Sequence, residues 1–274
     1  MTDQILEYDD AGKGLPLLLI HGFPHDRRLW RSQIAGLEGT ARVIAPDLRG
    51  FGASGDPAGT MSMDEHAADL HALLEELGIQ KVVVAGLSMG GYIALAFLAR
   101  YPTVVKGLIL CNTRAAADTD EAREGRETTA RKVMVEGVAP LAKTMLPGML
   151  TQEFRSTRPG SSASIQTMMQ EQRTAGVVSA LRGMALRPDR TPMLGTITVP
   201  TLIITSSADK VIPPSESEAM AKAIPESTLV VIDGAAHLSN VEAPEAFNSA
   251  VRGFMAGLTA FEPPSPLNEA SAHR

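Results

Sequence analysis

The chain has 274 residues, with 31 acidic against 25 basic side chains and a formal net charge of −6, long enough for one α/β domain, or a core domain with an insertion, around a full hydrophobic core. Its single cysteine, Cys111, excludes an intrachain disulfide and any metal site built on cysteine pairs, and the lack of a basic stripe excludes a nucleic-acid footprint. The acidic, polar start and the absence of any run near the roughly 18 apolar residues of a membrane span lead to the expectation of a cytoplasmic protein with no nucleic-acid or membrane partner.

Residues 5–8 alternate weakly, as an antiparallel edge strand would, whereas residues 15–20 are continuously apolar, as in a strand covered on both faces. The loop His21-Gly22-Phe23-Pro24 follows, then a helix over 26–37, a short buried strand over 42–45, and the long glycine-rich loop Pro46-Asp47-Leu48-Arg49-Gly50-Phe51-Gly52-Ala53-Ser54-Gly55. That loop fits G-x-G-x-x-G literally, but a phosphate-binding version opens a helix at once. Here residues 56–59 prolong the loop, and no acidic residue ends a strand about 20 residues on, so no dinucleotide cofactor is expected. Ser62-Met63-Asp64-Glu65 is a capping box. It starts a helix whose stripe is Ala67, Leu70, Leu74 and Leu77, with His66 and His71 expected on a solvated face.

Residues 82–91 read Val-Val-Val-Ala-Gly-Leu-Ser-Met-Gly-Gly, a buried strand and then a Gly-x-Ser-x-Gly turn that leads into a helix over 92–100. A side chain on so sharp a turn needs small neighbours two residues away, and Gly86 and Gly90 supply them, so Ser88 is expected to be presented rather than buried. Residues 107–111 form another buried strand that takes Cys111 into the core. Between 113 and 195 the strand-helix alternation stops: helices are expected over 119–137, 165–175 and 177–186, with Pro140, Pro147 and Pro159 as punctuation. Met134, Met145, Met149, Met168, Met169, Met184 and Met193 all fall in this segment, as fillers of an irregular small core or as an adaptable apolar wall over a binding site. The sheet pattern resumes over 199–205, followed by Asp209 and a second capping box at 215–218. One more strand over 228–232 ends in Asp233-Gly234-Ala235-Ala236-His237, and a last helix lies within 241–254. Residues 259–274, rich in proline and serine, are expected to be a disordered tail. This alternation argues for a mostly parallel sheet with helices on both faces.

A serine hydroxyl is a poor nucleophile unless a base takes its proton, and the base works best when a carboxylate holds its tautomer. His237 and Asp209 each follow a buried strand, so both are expected at the sheet edge where the Ser88 turn lies. Among rival acids, Asp233 is expected to cap a turn, Asp47 to belong to a structural loop, and Asn112 cannot be an anionic partner. The oxyanion formed on attack needs donors: the backbone N–H of Met89, just after the serine, and that of Phe23. His21 is expected to tie its loop down by hydrogen bonding. No metal site is expected.

The order Ser88, Asp209, His237, together with His-Gly-Phe-Pro, Pro-Asp-Leu-Arg-Gly-Phe-Gly, Gly-Leu-Ser-Met-Gly-Gly-Tyr and Ile-Leu-Cys-Asn-Thr-Arg, resembles the α/β-hydrolase superfamily, and within it small bacterial carboxylesterases related to the 3-oxoadipate enol-lactonase branch. The resemblance implies an α/β-hydrolase core over 1–112 and 196–258, with 113–195 as a helical cap that chooses the substrate. It also implies hydrolysis of short-chain or small aromatic esters through an acyl-enzyme, without cofactor. Lactone hydrolysis uses the same machinery, and a ligand-binding receptor on a hydrolase scaffold is the alternative of another class. Ser206 and Ser207 replace the glycine that relatives commonly carry before Ala-Asp. His25 stands where many carry an apolar residue, either on an exposed loop or at the entrance. The substrate pocket is assigned to His25, Met145, Val211 and Leu238.

Overall fold

The computed structural model describes residues 6–260; Ile5 and most of the expected tail lie outside them. Seven strands, β1 (Tyr8–Ala11), β2 (Pro16–Ile20), β3 (Arg42–Pro46), β4 (Val82–Leu87), β5 (Val105–Cys111), β6 (Thr201–Ser206) and β7 (Ser227–Ile232), form one sheet in the order β1-β3-β2-β4-β5-β6-β7. Only β1 runs antiparallel, pairing Tyr8 with Pro46, and it starts later than the alternation at 5–8 suggests. The helices are α1 (Arg31–Leu37), α2 (Met63–Glu76), α3 (Met89–Arg100), α4 (Asp120–Glu136), α5 (Ala139–Met149), α6 (Gln152–Thr157), α7 (Pro159–Gln170), α8 (Thr174–Ala185), α9 (Pro214–Ala223), α10 (Ser239–Glu242) and α11 (Pro244–Ala260).

Successive side chains of a strand point to opposite faces, and β4 shows the result. Val82 and Val84 join α2 and α3 in one hydrophobic cluster, while Val83 and Ala85 join α1 and α11 in the other. All of β4 is buried, which is why its sequence is a continuous apolar run and not an alternation. The register pairs Ile20 with Gly86, Leu87 with Cys111 and Ser206 with Ile232. The C-terminal ends of β2, β4, β5, β6 and β7 therefore line one edge. Among the described residues, no helix is long and apolar enough to cross a membrane.

The interruption between β5 and β6 is the helical run α4–α8, closed by a 3₁₀ turn at Thr191–Thr196. Helix α5 and the first turns of α7 were hidden by their prolines, and α6, which has none, by its length of six residues. Pro140 and Pro159 sit in first turns, where a missing N–H costs nothing, and Pro147 lies near the end of α5. Helix α8 lies against the 50–61 loop through one small-residue face. A Cβ at Gly176 would strike the Gly50 carbonyl and one at Gly183 the Met61 carbonyl, while Ser179 Oγ accepts the Met61 N–H at 2.9 Å. Met149, Met168, Met169 and Met184 are buried in the hydrophobic clusters, whereas Met134 is exposed.

Two expectations are corrected. His66 is buried, because the α2 face that carries it packs inward, and His71 stacks on Tyr101 at 3.9 Å. The capping box forms at Ser62 and Glu65 but not at 215–218, since α9 already begins at Pro214 and leaves Ser215 inside its first turn.

The root of the helical run is pinned by Asp118, whose buried carboxylate meets Arg114 at 3.1 Å, Arg187 at 2.8 Å and Arg126. Burial alone pushes its pKa up, but the hydrogen bonds and charges of Arg126 and Arg187 outweigh that and hold it at about 2. Breaking a buried pair strands its partners. Asp118→Asn is expected to cost about 3–5 kcal/mol, read as a lower urea midpoint. In the wild type this contribution is complete above the ordinary aspartate range and is lost as pH falls from there toward about 2; a pH series of unfolding curves checks it.

Candidate active site

Ser88 lies between β4 and α3 with φ 57° and ψ −115°, a left-handed conformation that costs a non-glycine residue on the order of 1–3 kcal/mol. The surroundings hold it there. A Cβ at Gly86 would strike the Gly90 carbonyl, and one at Gly90 the Ile20 carbonyl. The Ser88 N–H donates to the Cys111 carbonyl at 2.9 Å, and its own carbonyl accepts from Thr113 Oγ1 at 2.8 Å. Although Ser88 occupies the N-cap position of α3, its side chain makes no capping bond, so the hydroxyl remains available for chemistry. Met89 is the first residue of α3, and a helix leaves its first amides without intrahelical acceptors. Those N–H groups, at the positive end of the helix dipole, collect around the serine.

Beyond β6, the carboxylate of Asp209 accepts four bonds. Oδ1 takes the N–H groups of Val211 at 2.8 Å and Ile212 at 3.0 Å; Oδ2 takes Asn112 Nδ2 at 3.0 Å and His237 Nδ1 at 2.8 Å. Burial raises the Asp209 pKa, but the His237 hydrogen bond and charge, with the Ile212 and Asn112 bonds, more than reverse it, so the group stays anionic below its ordinary range. An anion at Nδ1 requires that nitrogen to carry the proton, which leaves Nε2 with its lone pair. Nε2 is buried and has no hydrogen-bond partner. The bond from Ser88 to His237 is therefore not made here, a contact that in such sites commonly tightens only on a bound substrate.

Asn112, at φ 43°, holds this arrangement together. Its Nδ2 also donates to Ser206 Oγ at 2.7 Å, its Oδ1 accepts from Ser239 Oγ at 2.7 Å, and Ser206 Oγ donates to the Ala236 carbonyl. The ends of β5, β6 and β7 are thus one polar net. In the sequence, Asn112 was a residue that could not be the acid and Ser206 a departure from a pattern; their pairing, across 94 positions of chain, has no local signal. Asp233 is engaged by Ser207 Oγ at 2.7 Å, which keeps it in a turn. Asp47 accepts from the N–H groups of Arg27 and Ala53 at 2.8 Å each, as befits a loop anchor.

The loop after β2 rests on the serine turn: a Cβ on Gly22 would stand 3.2 Å from Ser88 Cβ. His21 is fully used, with Nε2 accepting the Leu48 N–H at 3.0 Å and Nδ1 donating to the Gly22 carbonyl at 3.0 Å. Phe23 is buried edge-on against Phe51. Of the remaining assigned residues, Met145 is half-buried between the two clusters and Val211 is exposed beside Gly148 of α5. Leu238 is fully buried, its N–H donating to the Met149 carbonyl at 3.1 Å. His25 is no exposed loop residue, being completely buried. Sequence reasoning missed Gln172, whose Nε2 donates to Asp26 at 2.8 Å and whose Oε1 accepts the Gly52 N–H at 3.0 Å, and Glu242, which accepts from Thr151 and from the Ala236 N–H at 2.9 Å. Among the described residues no group of three or more His, Cys, Asp or Glu could hold a metal ion.

Comparison with known proteins places this geometry in context. The family described as alpha/beta hydrolase fold matches residues 16–244. The solved structure of a thermophilic esterase from Thermogutta terrifontis superposes with a TM-score of 0.91 at 42% identity, covering 92% of this chain and 93% of that one. The 3-oxoadipate enol-lactonase 2 of Acinetobacter baylyi is 32% identical over 227 residues, 83% of each chain, and a putative non-heme chloroperoxidase of Synechocystis is 30% identical over 258 residues, 90% and 94% of the two chains.

The polar net makes its own prediction. Asn112→Ala leaves Asp209, Ser206 and Ser239 each one partner short inside the protein, and is expected to lower stability by about 1–3 kcal/mol, measured by denaturant unfolding.

Proposed function

Because the chain belongs to the α/β-hydrolase family, we propose that it is a serine hydrolase of carboxylic esters, using Ser88 as nucleophile, His237 as general base and acid, and Asp209 as the group that orients the base. The observation that carries this reading is the His237 imidazole, bonded through Nδ1 to Asp209 while its buried Nε2 has no partner, at the same sheet edge as an uncapped, strained serine. Ser88 Oγ adds to the ester carbonyl as its proton passes to Nε2. The N–H groups of Phe23 and Met89 receive the negative charge that develops on the carbonyl oxygen. Collapse of the adduct breaks the carbon–oxygen bond, His237 returns the proton to the leaving alcohol, and the acyl group stays on Ser88. Water, deprotonated by the same nitrogen, then releases the acid and regenerates the serine.

Residues 113–195 are the cap in this reading. The C-terminal end of α5 comes over the site, where Gly148 lies beside the exposed Val211 and Leu238 holds the His237 loop to Met149; in this reading Met145, Val211, Leu238 and His25 bound the space for a small acyl group. The enol-lactonase relative favours cyclic esters as a second substrate class, for which the ring oxygen leaves but remains tethered. The peroxidase name of another relative fits hydrogen peroxide replacing water in the second step, which would release a peracid.

Ser88→Ala is expected to reduce turnover of p-nitrophenyl acetate on the order of 10⁴-fold or more and to abolish fluorophosphonate labelling, while melting at a temperature no lower than the wild type. Undiminished hydrolysis by this variant would end the proposal. Turnover by the wild type of lactones alone, across a panel of p-nitrophenyl esters and lactones, would move it to the second substrate class.

A further inference from the structure

The turn that follows Gly22 holds one polar side chain that the mechanism above leaves unused. His25 is completely buried, and neither Nδ1 nor Nε2 makes a hydrogen bond of ordinary geometry, the Gly22 carbonyl being the backbone acceptor near the ring. A buried polar group without a partner carries a desolvation cost that native structures seldom bear without a reason. Its neighbour in the same loop shows the ordinary arrangement, for both ring nitrogens of His21 are bonded. The ring of His25 is held by its backbone instead: its N–H donates to the Gly22 carbonyl at 3.0 Å, and Asp26, the next residue, is gripped by Gln172 from the α7–α8 connection at 2.8 Å.

Position gives these bare nitrogens their meaning. His66 has two bare nitrogens as well, but it stands on α2, and its charged neighbours are His21, Arg49 and Glu65. His25 stands two residues from Phe23, in the loop whose Gly22 would place a Cβ 3.2 Å from Ser88 Cβ, and beside the contact between core and cap. Burial chiefly, and then the charges of His21 and His237, hold its pKa down at about 3. Throughout the neutral range it is thus an uncharged imidazole with one donor and one acceptor. A hydroxyl group can meet either nitrogen, donating to one or accepting from the other, whereas an alkyl chain meets neither.

We infer that His25 is a specificity-determining residue that hydrogen-bonds a hydroxyl group on the acyl part of the substrate, so that the enzyme prefers hydroxyacyl esters to their plain alkyl counterparts. The inference rests on the esterase reading and names the substrate class of the same site. A site built to bond a substrate hydroxyl discriminates strongly against an analogue that lacks it, because the buried polar group is then left unpaired. The bare state of His25 in the unliganded site is the counterpart of that penalty.

The test uses matched pairs: methyl lactate against methyl propionate, and methyl 3-hydroxybutyrate against methyl butyrate, each hydroxy ester as both enantiomers. For the wild type, kcat/KM is expected to be about 10-fold or more higher for one enantiomer of at least one hydroxy ester than for its plain partner. In His25→Leu that preference is expected to vanish, and in His25→Gln, which keeps a donor and an acceptor, to survive in part. No preference in the wild type overturns the inference. So does an equal loss on both members of a pair in His25→Leu, which is what a purely structural role would give. Should His25→Leu fail to fold, the wild-type ratios and His25→Gln decide alone, a Gln variant without any preference counting against it. The esterase reading fails separately, if no ester in the set is turned over by the wild type faster than by Ser88→Ala.

Discussion

Backbone crowding at the start of α3 is the constraint from which the rest of the sheet edge follows. Ser88 can hold φ 57° only because Gly86 and Gly90 let β4, α3 and the end of β2 come closer than side chains would permit. That closeness has two effects. It leaves the serine without a capping bond to its own helix, and it packs the Gly22 loop, with Phe23 as its next residue, against Ser88 Cβ. Strain at one residue is offset by the burial of the apolar strands on either side, whose side chains are almost wholly removed from water. At ~25 cal/mol per Å² of apolar surface, such burial supplies far more than the local cost.

The polar groups at this edge obey a different rule. A carboxylate taken out of water must be compensated bond by bond, and Asp209 is: two backbone amides, an asparagine and a histidine share its two oxygens. Each helper is itself held, Asn112 by Ser239 and Ser206, and Ser206 by the Ala236 carbonyl. The orientation of His237 is therefore set by three strands at once. Against that background the unpartnered His237 Nε2 and the two bare nitrogens of His25 stand out. Thr205 Oγ1 and Asn240 Oδ1 lack partners as well, but only the two histidines have a use in the proposed reaction.

The helical run 113–195 is joined to the core at places that are themselves part of the site. Gln172 grips Asp26 beside His25; Met149 accepts from Leu238 beside His237; Thr151 donates to Glu242, which also accepts from Ala236. The glycine face of α8 seals the opposite side against Gly50 and Met61. A displacement of these helices would accordingly be felt by the loops that carry His237 and Phe23, through hydrogen bonds a few residues long.

By itself the sequence determined the strands, the serine turn, the parallel arrangement and the chain positions of Asp209 and His237, because each rests on local physics: continuous apolar runs for doubly covered strands, glycines where backbones touch, a polar residue just past a strand end. The site contact that positions alone suggested, Asp209 to His237, is present at 2.8 Å. Tertiary structure decided the rest. That His25 and His66 are buried is a matter of packing, and that Asn112 and Ser206 serve Asp209 and Gln172 ties α7 to Asp26 depends on partners 30 or more residues away, at distances no periodicity encodes. Prolines hid α5 and the first turns of α7 for a related reason: the sequence shows where a helix lacks an N–H, but only the packed chain shows whether that N–H was needed.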